Sequence, residues 1–294
     1  MSLLAVALLG IPFCCLIWVL FASHRILHPI RYRPALTPAD FGLPWESLRL
    51  KSKDQVDLSI WLVRHPRPEG ILLLLHGFES CKADLLDIAY SLYQCSPYHL
   101  LLMDLRGHGE SGKGPVTFGL REILDVQAIL DFLARDSKLR GLPIGCYGVS
   151  MGGVIALLAT GRFNRIRAVV SDSAYADFGK VVARVQWLTY HIPRVPLGWA
   201  TLRAVELRLG CRACALSPIQ AIRKISPRGV LLIHGMRDVT IPTGEARMLF
   251  EEAAGPKELW LVQEAEHAAS YYKQKEEYPR KLKEFFRNAF LRTA

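Results

Sequence analysis

Hydrophobic positions fall into three patterns along this chain. Val56, Leu58, Ile60 and Leu62 alternate with Asp57, Ser59, Trp61 and Val63, the period of a half-buried strand. Ile71–Leu75, Leu100–Met103, Ile144–Tyr147, Ala168–Val170, Gly229–Ile233 and Leu259–Val262 are short apolar runs. Runs of that length suit strands covered on both faces. Leu120, Ile123, Leu124, Ile129, Leu130 and Leu133 recur at helical spacing, as do Leu282, Phe285, Phe286, Ala289 and Phe290. Strand and helix therefore alternate, which predicts an α/β fold: a mostly parallel sheet flanked by helices. Trp45–Leu50 and Val56–Val63 are close enough in sequence to form a hairpin at its edge. Residues 173–228 leave this alternation and hold helical pieces such as Trp199–Leu209. Long insertions of that kind are often lids, so a helical cap over the C-terminal edge of the sheet is expected.

One long apolar run stands apart from these patterns. Leu3–Ala22 is 20 residues, and residues 1–24 contain no Asp, Glu, Lys or Arg. At 1.5 Å per residue the run spans about 30 Å, a bilayer core. A cleaved signal peptide wants a basic start and a shorter core. Here no basic side chain precedes the run, and Ala22-Ser23 is a poor cleavage site. Residues 1–24 are therefore expected to be an uncleaved transmembrane anchor. Arg25, Arg31 and Arg33 follow it, so the positive-inside rule puts the rest of this single-pass protein on the cytoplasmic side. Pro29, Pro34, Pro38 and Pro44 make residues 25–45 a stiff linker to a domain over residues 46–294.

Composition narrows the picture further. Of 294 residues, 51% are hydrophobic and 22% charged, which excludes disorder. Lys and Arg total 37 against 27 Asp and Glu, a net charge of +10. Such an excess favours anionic partners. The basic residues are scattered, with no run interleaved with aromatics, so no nucleic-acid partner is expected. Seven cysteines in a chain of this length read as mostly free thiols. Cys211-Arg212-Ala213-Cys214 has half the spacing of a zinc site, but no second pair completes it.

Candidate chemistry centres on Gly148-Val149-Ser150-Met151-Gly152, a G-x-S-x-G between an apolar strand and a helical run, Val154–Ala159. Strand, sharp turn and helix form the context of a nucleophile elbow, where bulky side chains two residues either side of the serine would collide. A serine hydroxyl needs a general base. His267 follows the last strand run, and Asp238 follows the one before it. The order Ser150, Asp238, His267 is the one expected for such a triad. Asp172, after the Ala168–Val170 run, is the rival acid. The oxyanion donors are expected to be the backbone N–H groups of Met151 and Phe78, the latter on His76-Gly77-Phe78 after the third strand. His76, Asp104 and His108 are expected to organise loops rather than to react.

In these stretches the chain resembles the α/β-hydrolase superfamily, and within it the serine aminopeptidase and monoacylglycerol-lipase-like branch with its membrane-anchored members. The resemblance rests on His76-Gly77-Phe78 with Ser80 and Lys82, Asp104–Gly112, and Thr117-Phe118-Gly119 with Glu122 and Asp125. Gly148–Gly153 and His234-Gly235 with Asp238 complete it. It implies hydrolysis of an ester, thioester or amide without a cofactor or metal. A lipophilic acyl ester is the expected substrate. A protein acyl-thioesterase and an aminopeptidase are the alternatives, the latter needing carboxylates such as Glu79 and Asp177 for the substrate's amine. A catalytically dead scaffold is the third. Trp187, Trp199 and the arginines among them suit a cap that faces an anionic membrane surface.

Overall fold

A computed structural model describes residues 3–33 and 35–292, with side chains from Pro12 onward. Pro34 of the expected linker and the side chains at the start of the expected anchor lie outside the described residues. Eight strands form one sheet: β1 (Trp45–Lys51), β2 (Asp57–Val63), β3 (Gly70–Leu75), β4 (Tyr98–Met103), β5 (Ile144–Val149), β6 (Ile166–Asp172), β7 (Gly229–Gly235) and β8 (Lys257–Val262). Their spatial order is β1-β2-β4-β3-β5-β6-β7-β8. β3 to β8 run parallel, while β1 and β2 pair as an antiparallel hairpin on the edge.

The apolar runs become strands because both faces are covered. Ile71, Leu73 and Leu75 of β3 join one core cluster, and Leu72 and Leu74 join the other. The helices in chain order are α1 (Leu3–Leu27), α2 (Leu86–Cys95), α3 (Glu122–Arg135), α4 (Met151–Arg162), α5 (Phe178–Tyr190), α6 (Trp199–Leu209), α7 (Ile219–Ile222), α8 (Thr243–Glu252), α9 (Ser270–Lys273) and α10 (Glu277–Arg292). α3, α4 and α8 cover the first face, α2 and α10 the second. The α10 stripe of Leu282, Phe285, Phe286, Ala289 and Phe290 supplies much of that second core. α5, α6 and α7 lie between β6 and β7, in the stretch where the alternation lapses.

The N-terminal region departs from expectation. Among the described residues no helix is long and apolar enough to cross a membrane, so the expected transmembrane helix is not found there. α1 continues to Leu27, past the expected end of the anchor, and packs on α6. Ala22, Ser23 and Leu27 are buried in the domain, and Trp18 meets Tyr190 edge-on at 4.9 Å between ring centres. The Leu27 carbonyl accepts from the Val116 N–H at 2.8 Å. Arg25 pairs with Glu79, and Arg31 donates to the carbonyls of Gly109 and Ser111. Two of the three basic residues used to orient the chain are thus held by the domain, and the start of the linker is docked on it.

Candidate active site

Ser150 stands between the end of β5 and the first residue of α4, with φ of 54° and ψ of −119°. A non-glycine residue there is strained by about 1–3 kcal/mol, and the surroundings must enforce it. The two flanking glycines show how. A Cβ on Gly148 would lie 2.1 Å from the Gly152 carbonyl oxygen, and one on Gly152 would lie 2.3 Å from that of Leu75. Backbone occupies the space that side chains would need, so the turn closes tightly and lifts Ser150 to its tip.

His267 and Asp238 converge on this serine. His267 Nε2 is 3.0 Å from Ser150 Oγ, and His267 Nδ1 is 2.7 Å from Asp238 Oδ2. Asp238 Oδ1 accepts from the N–H groups of Thr240 and Ile241 at 2.9 and 2.8 Å. Burial by itself would raise the Asp238 pKa, but hydrogen bonding to His234 and His267 outweighs it and brings it to about 2. Relative to an ordinary value of 3.8, that ionised form adds stability above pH 3.8, which is lost as the pH falls through 2. The carboxylate is therefore charged at neutral pH, and with Nδ1 protonated His267 has Nε2 free to accept from the serine hydroxyl.

Asp172, the rival acid, is engaged elsewhere. Its Oδ1 accepts from Ser173 and Ser270 hydroxyls at 2.8 and 3.1 Å, and its Oδ2 from Tyr278 OH at 2.7 Å. Burial pushes its pKa up. It ties β6 to α9 and α10 behind the serine, and only its carbonyl, accepting from the Ser150 N–H at 2.8 Å, touches the elbow.

Met151 opens α4, so its N–H has no intrahelical acceptor. Phe78 and Met151 both line the cavity in front of Ser150. A chain of buried polar groups holds the Phe78 loop. His76 Nε2 accepts from the Leu105 N–H at 3.1 Å, and its Nδ1 donates to the Gly77 carbonyl at 2.7 Å. His108 Nε2 accepts from the Glu79 N–H at 3.3 Å. Burial holds His108 down to about 3, which keeps that nitrogen free to accept. Lys82, wholly buried, donates to Asp104 at 2.6 Å, Glu110 at 2.7 Å and Ser59 at 2.9 Å. A buried ammonium is tolerated only when its donors are satisfied in this way. His76, Asp104 and His108 thus fix loops.

The cavity has a volume of about 340 Å³. It is mostly apolar, and its wall draws on the expected cap as well as on a residue that the sequence pattern did not point to. Val181, Val182 and Val185 come from α5, and Phe118 from the loop before α3. Phe78, Phe118 and Phe178 form a continuous aromatic wall, with ring centres 5.6 and 4.7 Å apart. The signal for Phe118 lay in Thr117 and Glu122: the Glu122 carboxylate accepts from Thr117 and Gly119 N–H groups and bends the loop, placing Phe118 at φ of 53°. A second cleft also reaches Ser150 and His267, lined by Ser80, Asp84, Tyr271 and Tyr272. The serine thus sits where an apolar cavity and a more polar cleft meet. Neither carboxylate considered for an amine is free: Glu79 pairs with Arg25, and Asp177 caps α5 by accepting from the Lys180 N–H.

Residues 66–205 match the serine aminopeptidase S33 family. The uncharacterized protein YqkD of Bacillus subtilis is 35% identical over 193 residues, which cover 65% of this chain and 63% of that one, under two thirds of its length. An uncharacterized membrane protein of Saccharomyces cerevisiae is 27% identical, over 73% of this chain and 70% of its own. Among solved structures, the Pyrococcus furiosus esterase Pf2001 superposes with a TM-score of 0.76 at 24% identity, covering 90% of this chain and 98% of that one. That last likeness is one of fold.

Proposed function

We propose that this chain is a hydrolase of the α/β-hydrolase superfamily, a reading supported by the match of residues 66–205 to the serine aminopeptidase S33 family, and that it cleaves lipophilic carboxylic esters through Ser150, His267 and Asp238. The observation that carries this reading is the hydrogen-bonded line from Ser150 through His267 to an ionised Asp238, at 3.0 and 2.7 Å, opening on an apolar cavity. Ser150 Oγ attacks the ester carbonyl while His267 Nε2 takes its proton. The N–H groups of Met151 and Phe78 stabilise the oxyanion. Collapse of the tetrahedral intermediate releases the alcohol, protonated by His267. Water, deprotonated by the same imidazole, then cleaves the acyl-enzyme. Asp238 keeps the imidazole in the useful tautomer and stabilises its charged form.

The engaged state of Glu79 and Asp177 favours esters over peptides with a free amine. A protein acyl-thioester fits the same geometry. Rates of the full-length protein on an acyl ester, the matching thioester and an aminoacyl amide separate these readings. The ester is expected to be turned over about tenfold faster than the amide or more. A thioester preferred to its matched ester moves the reading to a thioesterase, and a preferred amide moves it to a peptidase.

We further propose that the domain meets an anionic membrane surface through exposed apolar side chains of α1 and the cap. Phe13, Leu16, Ile17 and Leu20 of α1 are exposed, as are Trp187, Val195 and Trp199 of the cap, and Arg184, Arg194 and Arg203 lie among the latter. Apolar and aromatic groups mixed with arginine suit an anionic interface. Trp187→Ala with Trp199→Ala is expected to slow a long-chain ester on anionic vesicles about fivefold more than a short-chain ester in solution. Equal losses on both, with the fold intact, would remove the membrane-facing cap.

A further inference from the structure

The last two turns of α1 reach the reacting serine from a part of the sequence that carries no hydrolase motif. Ala22, Arg25 and Ile26 line the same cavity as Ser150, Val181 and Val185. Ala22 is 4% exposed and Ile26 is half-buried, so the cavity is closed on this side by α1 itself. Helix and cap are joined beside it by the Trp18–Tyr190 contact and by packing of α1 on α6.

Arg25 also reaches the oxyanion loop. Its Nη2 lies 2.8 Å from Glu79 Oε1, and the Ile30 N–H donates to the same oxygen at 3.2 Å. Glu79 directly follows Phe78 and adopts φ of 52°, a conformation that a side chain resists. The pair is about a third exposed, 30% and 34%, so its worth as a salt bridge is small. Its position matters more. It ties the backbone next to an oxyanion donor to the helix that walls the pocket.

We propose that the N-terminal helix is a working wall of the active site: Ala22 and Ile26 limit the acyl chain it accepts, and Arg25, through Glu79, positions the Phe78 oxyanion donor. This rests on the ester-hydrolase reading above. Arg25 does not touch the reacting atoms, so it is a positioning residue. Helix and loop act as one unit, because the side chains that shape the acyl site and the one that steadies the loop lie within five consecutive residues, Ala22 to Ile26.

The test uses the full-length protein with p-nitrophenyl esters from acetate to laurate, and with short- and long-chain alkyl fluorophosphonates that label a reactive serine. Ile26→Trp is expected to lower kcat/KM for laurate at least about tenfold relative to acetate. It is expected to slow labelling by the long-chain probe, relative to the short-chain probe, in the same proportion. Arg25→Ala is expected to lower kcat on the acetate ester about tenfold with KM nearly unchanged, since a displaced oxyanion donor costs transition-state binding alone. Arg25→Lys should restore most of that loss, and Glu79→Ala should reproduce it. Melting temperatures check that each variant is folded. An unchanged chain-length profile in folded Ile26→Trp overturns the wall. Losses in Arg25→Ala that fall on KM, or that Arg25→Lys does not restore, overturn the positioning role. A wild-type protein that labels but hydrolyses no ester overturns the ester reading alone, and chain-length-dependent labelling still decides the wall. A protein that neither labels nor hydrolyses overturns both.

Discussion

Ser150→Ala is expected to reduce ester turnover by about 10⁶-fold, to the residue left by binding and the oxyanion donors. Fluorophosphonate labelling should vanish with it. The site is built around this one atom: the strained φ of 54°, the two glycines with no room for a Cβ and the 3.0 Å approach of His267 serve no packing purpose. The strain lies in the backbone and persists with alanine, so the variant is expected to melt close to the wild type. Turnover and labelling that both survive in Ser150→Ala would remove the nucleophile assignment, and with it the proposed reaction.

Asp238→Asn is expected to lower kcat about 10⁴-fold, because the amide can present its NH₂ to His267 and favour the wrong tautomer. The parallel change Asp172→Asn should leave kcat/KM within about tenfold of wild type and instead reduce stability, since Asp172 accepts from three buried hydroxyls of Ser173, Ser270 and Tyr278. Urea unfolding and steady-state kinetics on the two variants read both quantities. A large kinetic loss in Asp172→Asn with a small one in Asp238→Asn would exchange the two carboxylates.

The central sheet was legible because its strands are buried on both faces, and a short solid apolar run such as Ile71–Leu75 has few other uses. The candidate site was legible for a related reason. An elbow needs glycines at fixed offsets, and the order of a serine, an acid and a histidine after successive strands is a topological matter that spacing records. Order favoured Asp238 but kept Asp172 as a rival, since each follows a strand. What separates them is the direction of a side chain, toward His267 or toward Tyr278, and no one-dimensional pattern carries that. The N-terminal run was ambiguous for a different reason. A helix apolar on all sides suits a bilayer and a protein interior equally. Long-range contacts such as the pairing of Arg25 with Glu79, 54 positions apart, and the burial of Ala22 and Ser23 reveal the docked part. Phe118 was missed as a wall residue because a pocket wall assembled from separate loops and helices has no period.

The packing of α1 on α6 also sets an order of events at the ribosome. The helix ending at Leu27 is made before the sheet, and the segment beginning at Trp199 emerges only after most of the sheet. At roughly 5–20 residues per second, the wall of the pocket waits about 10–30 s for the surface that receives it. Throughout that interval its apolar side chains have no cap to cover them. The active site is therefore completed late, by joining a helix made before the sheet to one made after most of it, and a nascent chain cut short before α6 has an elbow without a finished pocket.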